Sequence, residues 1–307
     1  MKSIGIIAAA LAFAALGIAQ AADEKAPATK PAEGKVAATV GQTKITAATV
    51  DEVMAGAPKD MTKDQLAQAR KRVLDDLIQT ELVKAYLKAQ PAAPTELAEM
   101  KKEMAEGLKA YGMTIEQFMQ ARGVSEEMLA DQAKLKKIQK AAASDEKVEA
   151  VVKAKPVACF DGTEVQASHI LVLCPLYASE ADAAKAKSKL DAVAKEIKDG
   201  KTDFAAAAKK NSDCPSSQKG GDLGGFTYGK MVPAFADAAF AMKVGDVGDV
   251  VRSSFGFHLI KVTKRTDGDK KVGPDAQPIA KGVLANQVQE QIITASAKAN
   301  PVTIAEP

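Results

Sequence analysis

The residues of this chain that could take part in chemistry are few, and most of them fall near its middle. The only two histidines, His169 and His258, lie in the apolar segments ASHILVL and FGFHLIKV, and Cys214 lies in the polar segment NSDCPSSQKGGDLGGF. Side chains alternate between the two faces of a strand, so each histidine shares its face with apolar residues two positions away. We therefore expect both imidazoles on core-directed faces. A buried imidazole pair should stay neutral, because desolvation disfavours the cation.

Two interpretations of these histidines remain open at this point. Each alone could be a structural residue satisfied by hydrogen bonds, whereas the pair, in two otherwise apolar strands, indicates a single site. A Cys–His hydrolase using Cys214 would also need an oxyanion hole, which the sequence does not identify. No C-x-x-C or H-x-x-x-H spacing arranges metal ligands, so we expect no metal.

Three apolar residues near these segments could form a binding pocket. Leu223 lies in the glycine-rich stretch GGDLGG, while Met231 and Phe235 are four residues apart and would share one face of a helix. Plain core packing is the alternative interpretation. The paired glycines indicate a turn into the edge of a sheet, because neither phosphate-binding motif, G-x-G-x-x-G or G-x-x-x-x-G-K-[ST], is present.

The elements that must position these residues change in type along the chain. Residues 36–45 have the pattern of a short hairpin around Gly41, and apolar residues at helical spacing recur from 66 to 154. Short apolar strands and amphipathic helices then mix over 163–266. A helix from Ile279 to Ala299 and a short strand at Val302–Ile304 close the chain, and we expect that strand to pair with Val36–Val40.

This order predicts an α+β protein in which a mostly helical domain is built from both chain ends. A second domain, with a mixed pattern of strands and helices, is inserted into it. The expected bounds are 36–155 for the N-terminal helical part, 163–266 for the inserted domain, 267–278 for a linker with two Gly and two Pro, and 279–307 for the helix and strand that complete the helical domain.

Composition limits the classes of function. At 307 residues the chain is long enough for two domains of about 150 residues each. A formal net charge of +3 argues against nucleic acid as the main partner. The three cysteines leave at least one thiol unpaired, and Cys159 with Cys174 is the pair that we consider for a disulfide.

The N-terminus predicts the compartment. Lys2, an apolar run to Ile18 and the small-residue motif Ala19-Gln20-Ala21 are typical of a cleaved signal peptide over residues 1–21. The run is too short for a membrane anchor, and no Cys follows it to accept lipid. Residues 22–35 have the composition of a flexible tether. We expect a periplasmic or secreted protein without membrane insertion.

A resemblance to a known family connects these observations. The segments ASHILV, NSDCPSSQKGGDLGGF, GKMVPAFADAAF and FGFHLIKV closely resemble the parvulin-type peptidyl-prolyl isomerases, over about Thr163 to Arg265. The resemblance implies a four-stranded antiparallel sheet wrapped by helices, and isomerisation of X-Pro bonds without a covalent step, metal or cofactor. It assigns catalytic roles to His169, Cys214, Ser253 and His258, and substrate-binding roles to Leu223, Met231, Phe235 and Phe257.

The whole arrangement, with its signal peptide and helices on both sides, is similar to the SurA/PrsA group of secreted foldases. The partners implied are unfolded or partly folded polypeptides with X-Pro bonds, and the helical domain would either bind such clients or form a homodimer. Phosphopeptide-selective relatives carry a basic cluster after the first strand, whereas residues 174–184 contain no Lys or Arg. We therefore expect no selectivity for phosphoserine-Pro. A catalytically inactive parvulin domain that serves as a peptide platform is the alternative.

Overall fold

A computed structural model describes residues 34–58 and 61–305 of the chain. The predicted signal peptide and most of the predicted tether therefore lie outside the described residues. Within the described part, the chain divides into two compact units: one contains residues up to 140 together with 292 onwards, and the other contains residues 141–291. This division confirms the insertion of one folded unit into another that is built from both chain ends.

The first unit is mostly helical. It begins with the strands β1 (Val36–Val40) and β2 (Thr43–Thr46) and continues with the helices α1 (Ala47–Met54), α2 (Lys63–Lys88), α3 (Pro94–Lys109), α4 (Ile115–Arg122) and α5 (Glu126–Ala142). Its last strand, β7 (Val302–Ile304), pairs antiparallel with β1, with Thr39 opposite Thr303. The expected pairing of the two chain ends is therefore confirmed, and it gives a three-stranded sheet in the order β2-β1-β7.

Local sequence sets the beginnings of several helices. Thr114 and Gln117 form the capping box expected before α4, in which each side chain binds the other residue's backbone N–H. Helix α3 differs from expectation, because it begins at Pro94 and has Ala93 rather than Thr95 at its cap position. Proline suits the first helical position because the backbone N–H that it lacks has no partner there.

The inserted unit contains the mixed elements. In order they are α6 (Asp145–Ala154), β3 (Glu164–Leu173), α7 (Glu180–Lys198), α8 (Phe204–Asn211), β4 (Asp222–Thr227), α9 (Pro233–Ala241), β5 (Val251–Arg252), β6 (Gly256–Thr266) and the first part of α10 (Ala276–Ala299). The four strands form one antiparallel sheet in the order β4-β3-β6-β5. The expected four-stranded antiparallel sheet is confirmed.

Apolar clusters cover both faces of this sheet. Val165 and Ala167 of β3 and Ile260 and Val262 of β6 belong to one cluster, which also contains Phe235 of α9. We call it the α9-side cluster. The alternate residues of the same strands belong to a second cluster with Leu190, Phe204 and other side chains of α7 and α8. We call it the α7-side cluster. Because successive side chains of a strand point to opposite faces, each of the two strands contributes apolar residues to both buried faces of the sheet.

Some boundaries differ from the expected ones. Helix α6 and the first part of α10 group with the inserted unit, because Val151, Val152 and Val283 pack into or against the α9-side cluster. The segment expected to be a strand over 247–252 keeps only the short strand β5 and a single bridge from Val247 to Lys261.

The disulfide considered for Cys159 and Cys174 is absent, and both thiols are free. Cys159 lies in the α9-side cluster and Cys174 in the α7-side cluster, on opposite faces of the sheet.

None of the helices in the described residues is long and apolar enough to cross a bilayer.

Candidate active site

The two histidines meet on one face of the sheet, as strand alternation predicts. His169 of β3 and His258 of β6 lie on neighbouring strands, with their Nδ1 atoms 3.2 Å apart and their rings stacked at a centroid distance of 5.5 Å. Both residues are buried, with 6% and 4% of their surface exposed. Because two neutral ring nitrogens bond only if one donates and the other accepts, the contact couples the tautomers of the two rings.

Ser253 extends this contact into a chain of three polar groups. Its Oγ lies 2.7 Å from Nε2 of His258, and the same oxygen accepts a hydrogen bond from the backbone N–H of Phe255. The backbone of the turn is also closed, because Ser253 N–H donates to the carbonyl of Gly256 at 2.8 Å. The short turn between β5 and β6 therefore fixes the hydroxyl under the imidazole.

Phe235 provides an aromatic wall for the imidazole pair. Its ring meets His169 and His258 edge-on, with centroid distances of 5.7 and 5.4 Å. Phe226 of β4 lies behind it, at 5.9 Å. This wall excludes water from the inner side of the histidines.

Cys214 lies in a loop that takes the place of a neighbouring strand along the second half of β3. The first half of β3 pairs with β4, but the second half has residues 212–214 at that edge instead. The backbone N–H of Leu171 donates to Ser212 Oγ, and the N–H of Leu173 donates to a carboxylate oxygen of Asp213, at 3.0 and 2.8 Å. In return, the N–H of Asp213 donates to the carbonyl of Leu171 at 2.7 Å. These bonds hold the next residue, Cys214, beside the strand that carries His169.

Gly221 allows the closest approach in this loop. Its backbone N–H donates to the backbone carbonyl of Ser216, and its own carbonyl accepts a hydrogen bond from the N–H of His169 at 2.9 Å. Its φ is +85°, and an added Cβ would collide with the carbonyl oxygen of His169. Only glycine meets both conditions, so the paired glycines of the sequence serve the edge of the sheet, as expected.

The surroundings shift the pKa values of the site in two directions. Burial, together with the nearby charges of His169 and Arg252, lowers the pKa of His258 to about 3, which agrees with the expectation of a neutral imidazole. Burial alone would raise the pKa of the Cys214 thiol, but interactions of the thiolate with His169 and Ser216 outweigh it and lower the pKa to about 6. At neutral pH the site therefore combines an uncharged imidazole with a largely ionised thiol.

One ring nitrogen of the imidazole pair makes no hydrogen bond of ordinary geometry in the described part of the chain. Nε2 of His169 is buried and makes no hydrogen bond of ordinary geometry within the described residues. Because Nδ1 of the same ring faces His258, Nε2 is the nitrogen left to interact with the Cys214 thiolate or with an incoming polar group. An unsatisfied buried nitrogen is costly, and its presence is typical of a functional site.

The structure brings together most of the residues assigned to substrate binding. Leu223 and Met231 are half-buried and pack against the α9-side cluster, of which Phe235 is a member. Phe257 does not join them. It belongs to the α7-side cluster, and the guanidinium of Arg252 stacks over its ring at 4.5 Å. Since Phe257 precedes His258 in a strand, alternation alone places it on the opposite face.

A polar network that none of the sequence motifs indicates lies next to this site. The hydroxyl of Tyr228 donates to Asp237 at 2.7 Å, and Lys155 pairs with the same carboxylate at 2.6 Å. Asp237 lies in α9, two residues after Phe235, so the network anchors the helix that carries the aromatic wall. Tyr228 is almost completely buried, and a tyrosine in an apolar segment that needs a hydroxyl partner was the available signal.

The chain is similar to several known proteins. Residues 169–264 match the rotamase family described as the PPIC-type PPIASE domain. The chain is 32% identical to foldase protein PrsA 2 of Bacillus cereus over 75% of its own length and 73% of that protein. It is 34% identical to foldase protein PrsA of a Geobacillus strain over 68% of each chain. Among solved structures, peptidylprolyl isomerase PrsA of Bacillus anthracis matches 73% of this chain and 96% of its own, with 24% identity and a TM-score of 0.38.

Proposed function

Because this chain belongs to the PrsA foldase family and its rotamase domain makes it a peptidyl-prolyl isomerase, we propose how its own residues act on a client polypeptide. Leu223, Met231 and Phe235 hold the prolyl ring, and the peptide bond that precedes the proline lies over His169 and Cys214. The observation that carries this proposal is the edge-on contact of Phe235 with both imidazoles. This contact places an apolar wall next to the two imidazoles that would form the polar floor of the pocket.

The reaction suits such a surface. The peptide bond resists rotation with a barrier of about 18–20 kcal/mol, because resonance gives it partial double-bond character. At the twisted transition state this resonance is lost, and the carbonyl is less dipolar than in either planar isomer. A pocket that grips the ring and excludes water stabilises the twisted amide relative to the planar one, which lowers the barrier. No bond to the enzyme forms, and no proton has to leave the substrate.

We assign the polar residues to the floor of this pocket. His258, which links Ser253 to His169, stays neutral at physiological pH, because burial lowers its pKa to about 3. It therefore orients Nε2 of His169 without adding a charge that would stabilise the planar, dipolar amide. Cys214 supplies negative charge at the edge of the site, where its thiolate interacts with His169.

We also propose a class of client and a place of action. Since the chain lacks basic residues over 174–184, its clients are unphosphorylated polypeptides with X-Pro bonds. The predicted signal peptide would bring the protein to the periplasm or outside the cell. There the helical unit made from both chain ends would bind unfolded segments while the inserted unit isomerises their prolyl bonds.

Isomerase kinetics on the full chain test the pocket. We expect acceleration of cis/trans exchange in an unphosphorylated Ala-X-Pro-Phe peptide, and a loss of at least about tenfold in kcat/KM, which is about 1.4 kcal/mol of transition-state stabilisation, for Phe235→Leu. The matched control is Phe257→Leu, a buried phenylalanine on the other face of the same sheet, for which we expect less than a threefold loss.

Two outcomes would contradict the proposal. No acceleration by the folded wild-type chain would leave only the peptide-platform interpretation. Equal losses for the Phe235 and Phe257 variants, with equal melting temperatures, would show that the α9-side face has no special part in binding proline.

A further inference from the structure

A groove adjoins the proposed prolyl pocket within the inserted unit. Its two walls are the turn that follows β4, residues 227–233, and the start of α10, residues 275–286, and its volume is about 420 Å³. This volume lies in the range of about 300–1,000 Å³ that is typical of ligand sites. Met231 lines the groove and also packs against the cluster that contains Phe235. The groove therefore continues from the place where the prolyl ring is proposed to lie.

The lining of the groove suits a segment of polypeptide. Met231, Ile279 and Val283 give it an apolar floor, and Val283 itself is only 4% exposed. Lys230 and Asp275, both exposed, put one charge of each sign on its rim. A rim with both signs has no preference for an anion or a cation, while an extended chain with an apolar side chain can use the floor and the rim together.

Two glycines give the groove its depth. A Cβ on Gly229 would lie 2.9 Å from Cγ1 of Ile279, so any side chain there would press on the opposite wall. A Cβ on Gly282, in α10, would meet no atom within 4 Å. Gly282 therefore faces open space along the groove, and helix formation gives no reason for a glycine at this position.

We propose that this groove is a subsite for an apolar side chain of the client, in the segment that flanks the prolyl residue. The inference rests on the proposed function, because it takes the prolyl ring to lie against Phe235. It adds a source of client selectivity beyond the proline itself: clients with an apolar residue near the prolyl bond are bound by both surfaces.

The subsite can be tested on the full chain by assaying a series of peptides with the wild type and with variants that fill the groove. Three peptides share one central Ala-Pro: a tetrapeptide, a longer peptide with leucine at the flanking positions, and a longer peptide with serine there. For the wild type we expect kcat/KM to be about tenfold higher for the leucine peptide than for the serine peptide. In Gly282→Leu, whose side chain would occupy the open space, this ratio should fall towards one, while Gly282→Ala should keep most of it.

The tetrapeptide separates failure of this inference from failure of the proposed function. Catalysis of the tetrapeptide without a leucine preference would overturn the subsite and leave the prolyl pocket standing, whereas no catalysis of any peptide would overturn both. A leucine preference that survives in folded Gly282→Leu would also overturn the subsite.

A second measurement needs no variant. A leucine peptide with a nitroxide at one flanking position should broaden the backbone amide signals of Gly229 and Gly282 in the wild-type chain. Broadening of the Phe235 amide without any at these two glycines would place the flanking segment elsewhere and overturn the proposal.

Discussion

At the scale of single residues, the site depends on a hydroxyl and two imidazoles that hold each other in one arrangement. Ser253 is 3% exposed and bonds both His258 and the backbone of its own turn. Removing the hydroxyl would leave a buried ring nitrogen without a partner, and a buried unsatisfied group costs about 1–3 kcal/mol. The hydroxyl thus matters more than its modest size suggests.

We therefore expect Ser253→Ala to lower kcat/KM for a proline peptide by about tenfold, which is about 1.4 kcal/mol. Ser253→Thr keeps the oxygen and should retain most of the activity. Exchange spectroscopy at several peptide concentrations would separate kcat from KM. Equal activity of the alanine and threonine variants would show that the hydroxyl does not orient His258 for the reaction.

The thiol of Cys214 gives a prediction about pH. Because its pKa is lowered to about 6, the thiolate fraction, and with it the rate of alkylation by iodoacetamide, should rise as pH increases through about 6. Cys159 is the internal control, since burial raises its pKa to about 11 and it should stay unmodified in the folded chain. Peptide mass spectrometry over pH 5 to 9 measures both sites in one experiment.

The same experiment on His169→Ala tests the cause of the shift. Loss of the imidazole removes one of the interactions that lower the pKa of Cys214, so the midpoint of alkylation should move to higher pH. A midpoint that stays near 6 would assign the low pKa to Ser216 and the loop backbone instead.

At the scale of elements, the edge of β3 decides where the site residues lie. Gly221 and Gly224 belong to the same glycine-rich stretch, just before and within β4, and both have positive φ, of +85° and +68°. A Cβ would collide with the carbonyl of His169 at Gly221 but would meet nothing within 4 Å at Gly224. A side chain at either position therefore has the cost of a positive φ, but only a side chain at Gly221 would also collide with the carbonyl of His169.

Substitution of each glycine by alanine separates these two effects. We expect Gly224→Ala to cost about 1 kcal/mol in the free energy of unfolding of the inserted unit, from φ alone. Gly221→Ala should cost several-fold more, about 3 kcal/mol or above, because β3 or the loop must move. Urea unfolding followed by the amide signals of β3 measures both. Equal costs would show that the approach of Gly221 to His169 is easily relaxed.

Much of this element-scale arrangement could be predicted from local patterns. Period-two alternation places His169 and His258 on one face of the sheet, and Thr114 with Gln117 marks a helix start. The same alternation also separates Phe257 from His258, although family resemblance assigned both to one site. Local patterns give the face of a side chain more securely than resemblance does.

Other features depend on contacts between distant segments, which local patterns do not contain. The loop at 212–214 takes the place of a strand because Ser212 and Asp213 present side-chain oxygens to β3. Helix α6 packs with the inserted unit rather than with the helices before it, although its sequence is like theirs. The partner of Tyr228 could likewise be found only in three dimensions.

At the scale of the whole molecule, the two units should separate two activities. In the unit made from both chain ends, Ser296 of α10 is 2% exposed and its hydroxyl donates to the carbonyl of Leu82 in α2 at 2.6 Å. This bond joins the returning helix to the N-terminal helices of the same unit. A carboxylate at this position would be buried against the carbonyl of Leu82, which cannot donate a hydrogen bond to it, and burying a charge in this way costs several kcal/mol.

We expect Ser296→Asp to weaken the suppression of aggregation of an unfolded client while it leaves the isomerisation of a tetrapeptide within about twofold of wild type. The reverse pattern is expected for Ser253→Ala. Ser296→Ala is the control, since it loses the hydrogen bonds of the hydroxyl to Leu82 and from Asn300, about 1 kcal/mol each, without adding a charge. Light scattering of a reduced client measures the suppression of aggregation, and exchange spectroscopy of the tetrapeptide measures isomerisation. Parallel loss of both activities in Ser296→Asp would show that the units do not act separately.

The loop beside β3 has a consequence for how such a site can change over time. Every atom that anchors it, the hydroxyl of Ser212, the carboxylate of Asp213 and the carbonyl of Gly221, belongs to a residue other than Cys214 or to the main chain. The side chain at 214 is therefore exchangeable without any relocation of its Cα. A lineage that moves from reducing to oxidising surroundings can replace an oxidisable thiol with a carboxylate there by substituting this residue alone, and it keeps the surrounding scaffold intact.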